Sequence, residues 1–310
     1  MTRIGSPLLL NEALIVGAQG FLGSHLRAKL TSLGIKVFCL SRKDGDLAQI
    51  ETWEKSNFSG GHPSAVFFCA EDTGNQRYFS ETGPFDIWSN NASIIQNFSK
   101  YLESLQNPCH VFVFGSLWTS IANKSVIDEE DLFQLDKRSP VISLQMTKIA
   151  LLSFVRKMNA KTIHTAQIIT PGTLFGPDDN SDHLIPSVIR QANTKTILMN
   201  GTGDGSRNFI YVDDFSNLLL LLIKNKLFDQ ESIIVTSDIN LDIKAIVNHI
   251  AAEFGIDNVS WGTQRPVYET RQPSISLLKS LNVNFQTFEF RSPLNFGRLD
   301  FQEWLSNERS

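Results

Sequence analysis

Apolar and polar positions alternate between two periods along most of the chain. Short, near-continuous apolar runs occur at Ala13 to Val16, Lys36 to Leu40, Ala65 to Cys69, His110 to Phe114 and Thr165 to Ile169. Between them, Phe21 to Leu33, Ile94 to Leu105 and Pro140 to Met158 carry apolar residues at helical spacing. Runs of four or five residues, mostly apolar, separated by amphipathic helices predict a parallel sheet covered on both faces. Beyond Gly176-Pro177 the pattern changes. Asp178 to His183 is polar, Leu184 to Ala192 is a short amphipathic helix, and Gly201 to Gly205 is a glycine-rich turn. Helices are predicted at Val212 to Lys224, Leu241 to Phe254 and Phe296 to Leu305. The expected architecture is α/β: a doubly wound parallel (Rossmann) sheet with a smaller, discontinuous C-terminal substrate lobe. The expected boundaries are a dinucleotide-binding domain over 1–175, with 206–236 packing back on it, and a lobe made of 176–205 and 237–310.

Composition narrows the classes. The 310 residues are 42% hydrophobic and 19% charged, with a formal net charge of −4. That balance gives no global attraction to nucleic acid or to an anionic membrane. The strongest apolar run, Leu218 to Ile223, is far too short to span a bilayer. Met1 to Leu10 lacks the pattern of a signal peptide, so a cytoplasmic protein is expected. Cys39, Cys69 and Cys109 form no Cys-x-x-Cys pair and no metal spacing, which predicts reduced thiols and no metal site.

The chemistry begins at Gly17-Ala18-Gln19-Gly20-Phe21-Leu22-Gly23, which follows a predicted strand and opens a predicted helix. Gly17 permits the tight turn, Gly20 lets backbone approach a pyrophosphate, and Gly23 permits close helix–strand packing. The helix N-terminus adds amide donors and a favourable dipole. At the end of the second strand, where an NAD site usually places a carboxylate, the chain reads Ser41-Arg42-Lys43. A hydroxyl and two cations suit a 2′-phosphate, so NADP is preferred and NAD is kept as the alternative, with Asp44 close by. Asp46-Leu47 lies where such folds cap the adenine, and Cys69-Ala70 ends the third strand beside the expected pyrophosphate.

These residues resemble the extended short-chain dehydrogenase/reductase family, in its branch of nucleotide-sugar epimerases, dehydratases and ketoreductases. Asn91-Ala92-Ser93, Phe114-Gly115-Ser116, Phe175-Gly176-Pro177 and Arg207-Asn208-Phe209-Ile210-Tyr211-Val212-Asp213-Asp214 carry the resemblance beside the glycine loop. Gly176 to Asn180 followed by His183-Leu184-Ile185-Pro186 is similar to GDP-fucose synthase-type enzymes, whose corresponding histidine acts as an acid. CDP-abequose synthase-type ketoreductases are a second comparison. The resemblance implies Asn91, Ser116 and Lys148 as catalytic residues, with Lys148 also binding nicotinamide ribose and Pro171 lining the cofactor. It implies His183, Arg190, Arg207 and Arg271 around a nucleotide-diphosphate sugar, and a homodimer through Ile94 to Leu105 and Val141 to Val155.

Two family features are missing. The catalytic tyrosine position is Leu144, which transfers no proton, and the epimerase cysteine stretch reads Leu117-Trp118-Thr119. Tyr78, Tyr101, Tyr211 and Tyr268 all lie off the Lys148 helix. The leading expectation is therefore an NADP-dependent 4-keto-sugar reductase or epimerase whose proton comes from Ser116, from His183, or from water held by Ser143 or Gln145. The rival expectation is a catalytically degenerate NADP(H)- and nucleotide-sugar-binding protein serving as sensor or subunit. A sugar dehydratase with tightly held cofactor is a third.

Overall fold

The computed structural model describes residues 10–55, 61–73, 78, 81–120, 125–225, 230–264, 272–281 and 288–306. Six strands form the central sheet: β1 (Glu12–Val16), β2 (Lys36–Leu40), β3 (Ala65–Phe68), β4 (His110–Phe114), β6 (Thr165–Pro171) and β10 (Ser232–Val235). Their order is β10-β6-β4-β3-β1-β2, and every pairing is parallel. This is the doubly wound sheet that the apolar runs predict. The strand order reverses at β1, so a crevice opens at the carboxyl ends of β1 and β3.

Strand alternation sorts side chains onto two buried faces. Ala13, Ile15, Phe67 and Phe112 point one way, toward Leu26 and Leu30 of α1 (Phe21–Ser32) and Leu218 and Leu222 of α6 (Val212–Lys224). Leu14, Val16, Phe68 and Val113 point the other way. There they meet Phe98 and Leu102 of α3 (Pro84–Ser104) and Leu151 and Val155 of α4 (Ile142–Lys161). Stacked rings stiffen both layers, Phe67 on Phe112 at 5.2 Å and Phe68 on Phe98 at 4.4 Å. The short helix α2 (Ile50–Lys55) closes the β2 side.

A second core gathers Phe175, Ile185, Phe209, Tyr211, Val247, Phe254, Phe301 and Trp304. It is built by α5 (Leu184–Asn193), α7 (Ile243–Glu253) and α9 (Arg298–Ser306) together with the short strands β7 (Thr173–Phe175), β8 (Leu198–Gly201), β9 (Ser206–Tyr211), β11 (Asn240–Asp242) and β12 (Ser260–Gln264). These strands pair as β11-β9-β7 and β12-β8. Strand β5 (Val126–Ile127) and helix α8 (Ser276–Ser280) instead send Ile127 and Leu278 into the first core, and β5 pairs with β13 (Gln272–Pro273).

Helix α3 starts ten residues before the predicted Ile94, because Pro84 sits at its first turn after Gly83 at φ 89°. A proline there costs the helix no hydrogen bond. Among the described residues no helix is long and apolar enough to cross a membrane.

Candidate functional site

The glycine loop is forced by contact. Gly17 has φ +85°, and a Cβ there would lie 2.8 Å from the Cys69 carbonyl carbon and 2.9 Å from the Ala70 nitrogen. A Cβ on Gly23 would come within 2.2 Å of the Gly17 carbonyl oxygen. Both positions exclude a side chain. The Gly17 amide donates to the Leu40 carbonyl at 2.7 Å, which ties the loop to β2. Gly20 caps α1 with no side-chain hydrogen bond, so the first-turn amides are left to an external acceptor. A cradle that excludes Cβ atoms, ending in uncapped helix amides, fits a dinucleotide pyrophosphate. Gln19 is exposed beside it, Phe21 and Leu22 are half-buried, and Ala70 is buried. Burial, then the nearby Glu71 carboxylate, push the Cys69 thiol well above its ordinary range.

At the end of β2, the Ser41 amide and hydroxyl both donate to Asp44 Oδ2, at 2.8 and 3.0 Å. Asp44 is thus folded into its own turn, and the Ser41 hydroxyl proton is spent on it. Arg42 and Lys43 are exposed and are the cations this turn presents. Asp46 Oδ1 accepts from the Ala48 amide at 2.9 Å, and the buried Leu47 carbonyl accepts from Trp53 Nε1 at 2.8 Å.

The next group lies at the ends of β3 and β4. Lys148 Nζ donates to Glu71 Oε1 and Oε2, both at 2.5 Å, and to the Phe114 carbonyl at 2.6 Å. Its side chain is 3% exposed and that of Glu71 14%. One turn earlier on α4, Leu144 packs with Ile87, Val141 and Tyr78. Tyr78 donates to Asp72 Oδ1, and Asn90 Nδ2 donates to Asp72 Oδ2 at 3.0 Å. Burial, then the Asp72 carboxylate, raise the Tyr78 phenol above its ordinary value.

Asn91 is a clamp. Its Oδ1 accepts from the Asp72 amide at 2.7 Å and its Nδ2 donates to the Asp72 carbonyl at 2.9 Å, so it fixes the chain after β3. Ser116 Oγ accepts from the Trp118 amide at 3.2 Å, which leaves its proton available. Gln145 is engaged at both ends of its amide, accepting from the Asp136 amide and donating to the Thr119 carbonyl, at 3.2 and 3.1 Å. Ser143 is 1% exposed, and its hydroxyl has no hydrogen-bond partner among the described residues, so it keeps the capacity to hold a water.

Across the crevice, the Arg207 guanidinium lies 4.6 Å from the Trp118 ring, and Trp118 is 40% exposed. Cation–π contact holds a flexible arginine in a defined place. His183 is exposed at the N-cap of α5. Arg190 NH2 donates to the Ser181 carbonyl at 2.7 Å and to Asp182 at 2.9 Å, so part of its charge is already matched. Pro171 ends β6, beside β10. Arg271 lies outside the described residues.

Beside this wall, His25 bridges Asp213 Oδ1 at 3.2 Å and the Pro177 carbonyl at 3.0 Å. Arg291 makes two bonds to Asp214 Oδ1, at 2.9 and 2.6 Å, and its guanidinium lies 3.9 Å from the Tyr211 ring.

Glu71 and Trp118 are the residues that sequence reading missed. Glu71 directly follows Cys69-Ala70, so a carboxylate at the strand-order reversal was the available signal. Trp118 stands two residues past Ser116, and a large aromatic so close to a predicted strand end was the signal there.

The family described as "NAD dependent epimerase/dehydratase family" matches residues 13–235. A probable GDP-L-fucose synthase 1 of Oryza sativa subsp. japonica is 22% identical over 307 residues, covering 94% of this chain and 91% of the relative. A dTDP-4-dehydro-6-deoxy-D-allose reductase of a Streptomyces species is 25% identical over 235 residues, covering 68% and 72%. The solved GDP-mannoheptose C4 reductase from Campylobacter jejuni with NADP bound superposes with a TM-score of 0.79 at 20% identity, covering 97% of this chain and 99% of that one.

Proposed function

The chain belongs to the NAD dependent epimerase/dehydratase family, and on that premise we propose that it reduces the keto group of a nucleotide-linked 4-keto sugar with NADPH. The observation that carries the reading is the Arg207–Trp118 contact, 4.6 Å long. It holds a guanidinium for a diphosphate beside Ser116, at the end of β4. Relatives that reduce such sugars, and a C4 reductase with NADP bound, support the same reaction class.

Cofactor choice rests on Arg42 and Lys43, exposed at the end of β2. Bound at the glycine loop, NADPH supplies a hydride. The residues around it do the rest. Ser116 keeps a hydroxyl proton to direct at the sugar carbonyl oxygen. His183, exposed at the start of α5, is the proton source in this reading, since an imidazole N–H can donate a proton. With no cysteine at Trp118, the site is read as a reductase rather than an epimerase. Arg190 and Arg271 are further contacts for the nucleotide in this reading.

A homodimer belongs to the same reading. Ile94, Phe98, Leu151 and Val155 are buried in the sheet core, so pairing has to use the outward sides of α3 and α4. Phe85, 71% exposed on the first turn of α3, is on offer there.

The Leu144 cluster and the fully engaged Lys148 favour a second reading, a protein that binds these ligands without turnover. Single-turnover NADPH oxidation over a panel of GDP- and dTDP-linked 4-keto sugars separates the two. Turnover on a panel member, reduced in His183→Asn or Ser116→Ala, supports the reductase. Tight binding with no oxidation on any member assigns the protein to the second reading. In the same titrations NADPH binds more tightly than NADH, and Arg42→Ala shrinks that gap. Equal affinities in the wild type would remove NADP as the preferred cofactor.

A further inference from the structure

We infer that the indole of Trp118 is the platform on which the hexose ring of the nucleotide-linked sugar stacks, which makes it a specificity-determining residue of the site. The inference rests on the reading of Arg207 as the diphosphate ligand and of Ser116 as the group facing the sugar carbonyl.

A large aromatic side chain is unfavourable to leave in water, and Trp118 is 40% exposed. Two contacts nevertheless fix it in place. Its amide donates to Ser116 Oγ at 3.2 Å, within the single turn Leu117–Thr119 that Ser116 caps. Arg207 lies over its ring, with the guanidinium carbon 4.6 Å from the centroid. That cation–π contact occupies one face of the indole. A ring has two faces, and at this exposure the protein leaves ring surface uncovered.

What fits there follows from the layout of the substrate. In a nucleotide-linked 4-keto sugar, the hexose ring separates the C4 carbonyl from the diphosphate on C1. Trp118 stands between the same two functions in the protein. It is two residues past Ser116, at the end of β4, and it touches Arg207 of β9. A ligand with its carbonyl at Ser116 and its diphosphate at Arg207 therefore carries its ring past the indole. The nucleobase lies beyond the diphosphate, so the occupant is the sugar and not the base. A pyranose with equatorial hydroxyls presents axial C–H groups on its faces, and these make dispersion contact with an aromatic face. An axial hydroxyl turned toward the indole would lose its water and gain no partner. The platform thus favours sugars whose stacked face carries hydrogens, and disfavours epimers that turn a hydroxyl into it.

Equilibrium binding of paired ligands tests this, GDP against GDP-mannose and dTDP against dTDP-glucose. The bare nucleotide reads the grip of Arg207, and the ratio of the two affinities reads the sugar. In the wild type the sugar-bearing member of at least one pair binds more tightly. Trp118→Leu keeps an apolar side chain but no ring, and it narrows that ratio about tenfold, the worth of roughly 55 Å² of apolar contact. Trp118→Phe retains most of the ratio, and NADP+ affinity is unchanged in both variants. A ratio unchanged in Trp118→Leu overturns the inference even if both affinities fall, since Trp118 then serves only to place Arg207. A loss as large in Trp118→Phe as in Trp118→Leu assigns the effect to size rather than to a ring face, and overturns it too. So do equal affinities within each pair in the wild type. A wild type that binds none of the four ligands refutes instead the nucleotide-sugar reading, a different result.

Discussion

Leu144 occupies the position from which a tyrosine would transfer a proton, and its surroundings are apolar. It is 6% exposed and packs against Ile87, Val141 and Tyr78. A phenol added to this buried cluster is larger than the leucine it replaces, so Leu144→Tyr is expected to overpack it at a cost of about 1–3 kcal/mol. The expected result is a lower melting temperature with no gain in NADPH oxidation. Activity that appears only in this variant would show that the site still waits for its tyrosine.

Arg207 differs in being half-buried, with its guanidinium on the Trp118 ring. Arg207→Ala is expected to weaken nucleotide-sugar binding by about 1.5–3 kcal/mol, the value of a charge-assisted hydrogen bond, and to leave NADPH binding unchanged. Calorimetric titration of both ligands reads this directly. No loss for either ligand takes Arg207 out of the site.

Among elements, β4 combines the clearest pattern with a hidden titration. His110 at its start is 4% exposed, and burial holds its imidazole down at about 3. The unfolded chain takes up that proton below about 6.5 and the folded chain does not. The contribution to stability is therefore complete above 6.5 and is lost as pH falls toward 3. Between pH 7.5 and 5.5 the loss from this residue is about 1.4 kcal/mol. Urea midpoints at the two pH values should differ less in His110→Gln than in the wild type, and parallel shifts would remove His110 as the cause.

The sheet strands were readable because both of their faces are buried, which leaves unbroken apolar runs such as Val111 to Phe114. Strands β5, β7, β11 and β13 are two or three residues long and have no room to display a period. The glycine loop was readable because backbone contact at Gly17 and Gly23 admits no other residue. The Glu71–Lys148 pair was not, since its partners stand 77 residues apart and each looks like a surface charge in its own segment.

Across the whole molecule, the sheet and the second core are joined through the segment that follows β9. Arg291 grips Asp214 of α6 and lies over Tyr211, while His25 of α1 holds Asp213 and the Pro177 carbonyl. Asp214 is 5% exposed and loses the guanidinium but keeps the Arg291 backbone amide when the side chain is removed. Arg291→Ala is expected to destabilise the fold by about 1.5–3 kcal/mol, the value of a hydrogen bond to a charged group, read as a drop in the thermal midpoint. A change within experimental error would mean that water replaces the guanidinium at Asp214.

The parallel pairing of β10 with β6 also governs how the chain is made. Ile233 and Ile234 cover Ile169 and Thr170 only after the excursion 172–231 has been synthesised. At about 5–20 residues per second, translation leaves that hydrophobic strand edge open for on the order of several seconds. An open parallel edge is a template for another nascent chain. Ribosomal pausing or early termination within 172–231 is therefore expected to produce aggregates rather than a smaller soluble domain.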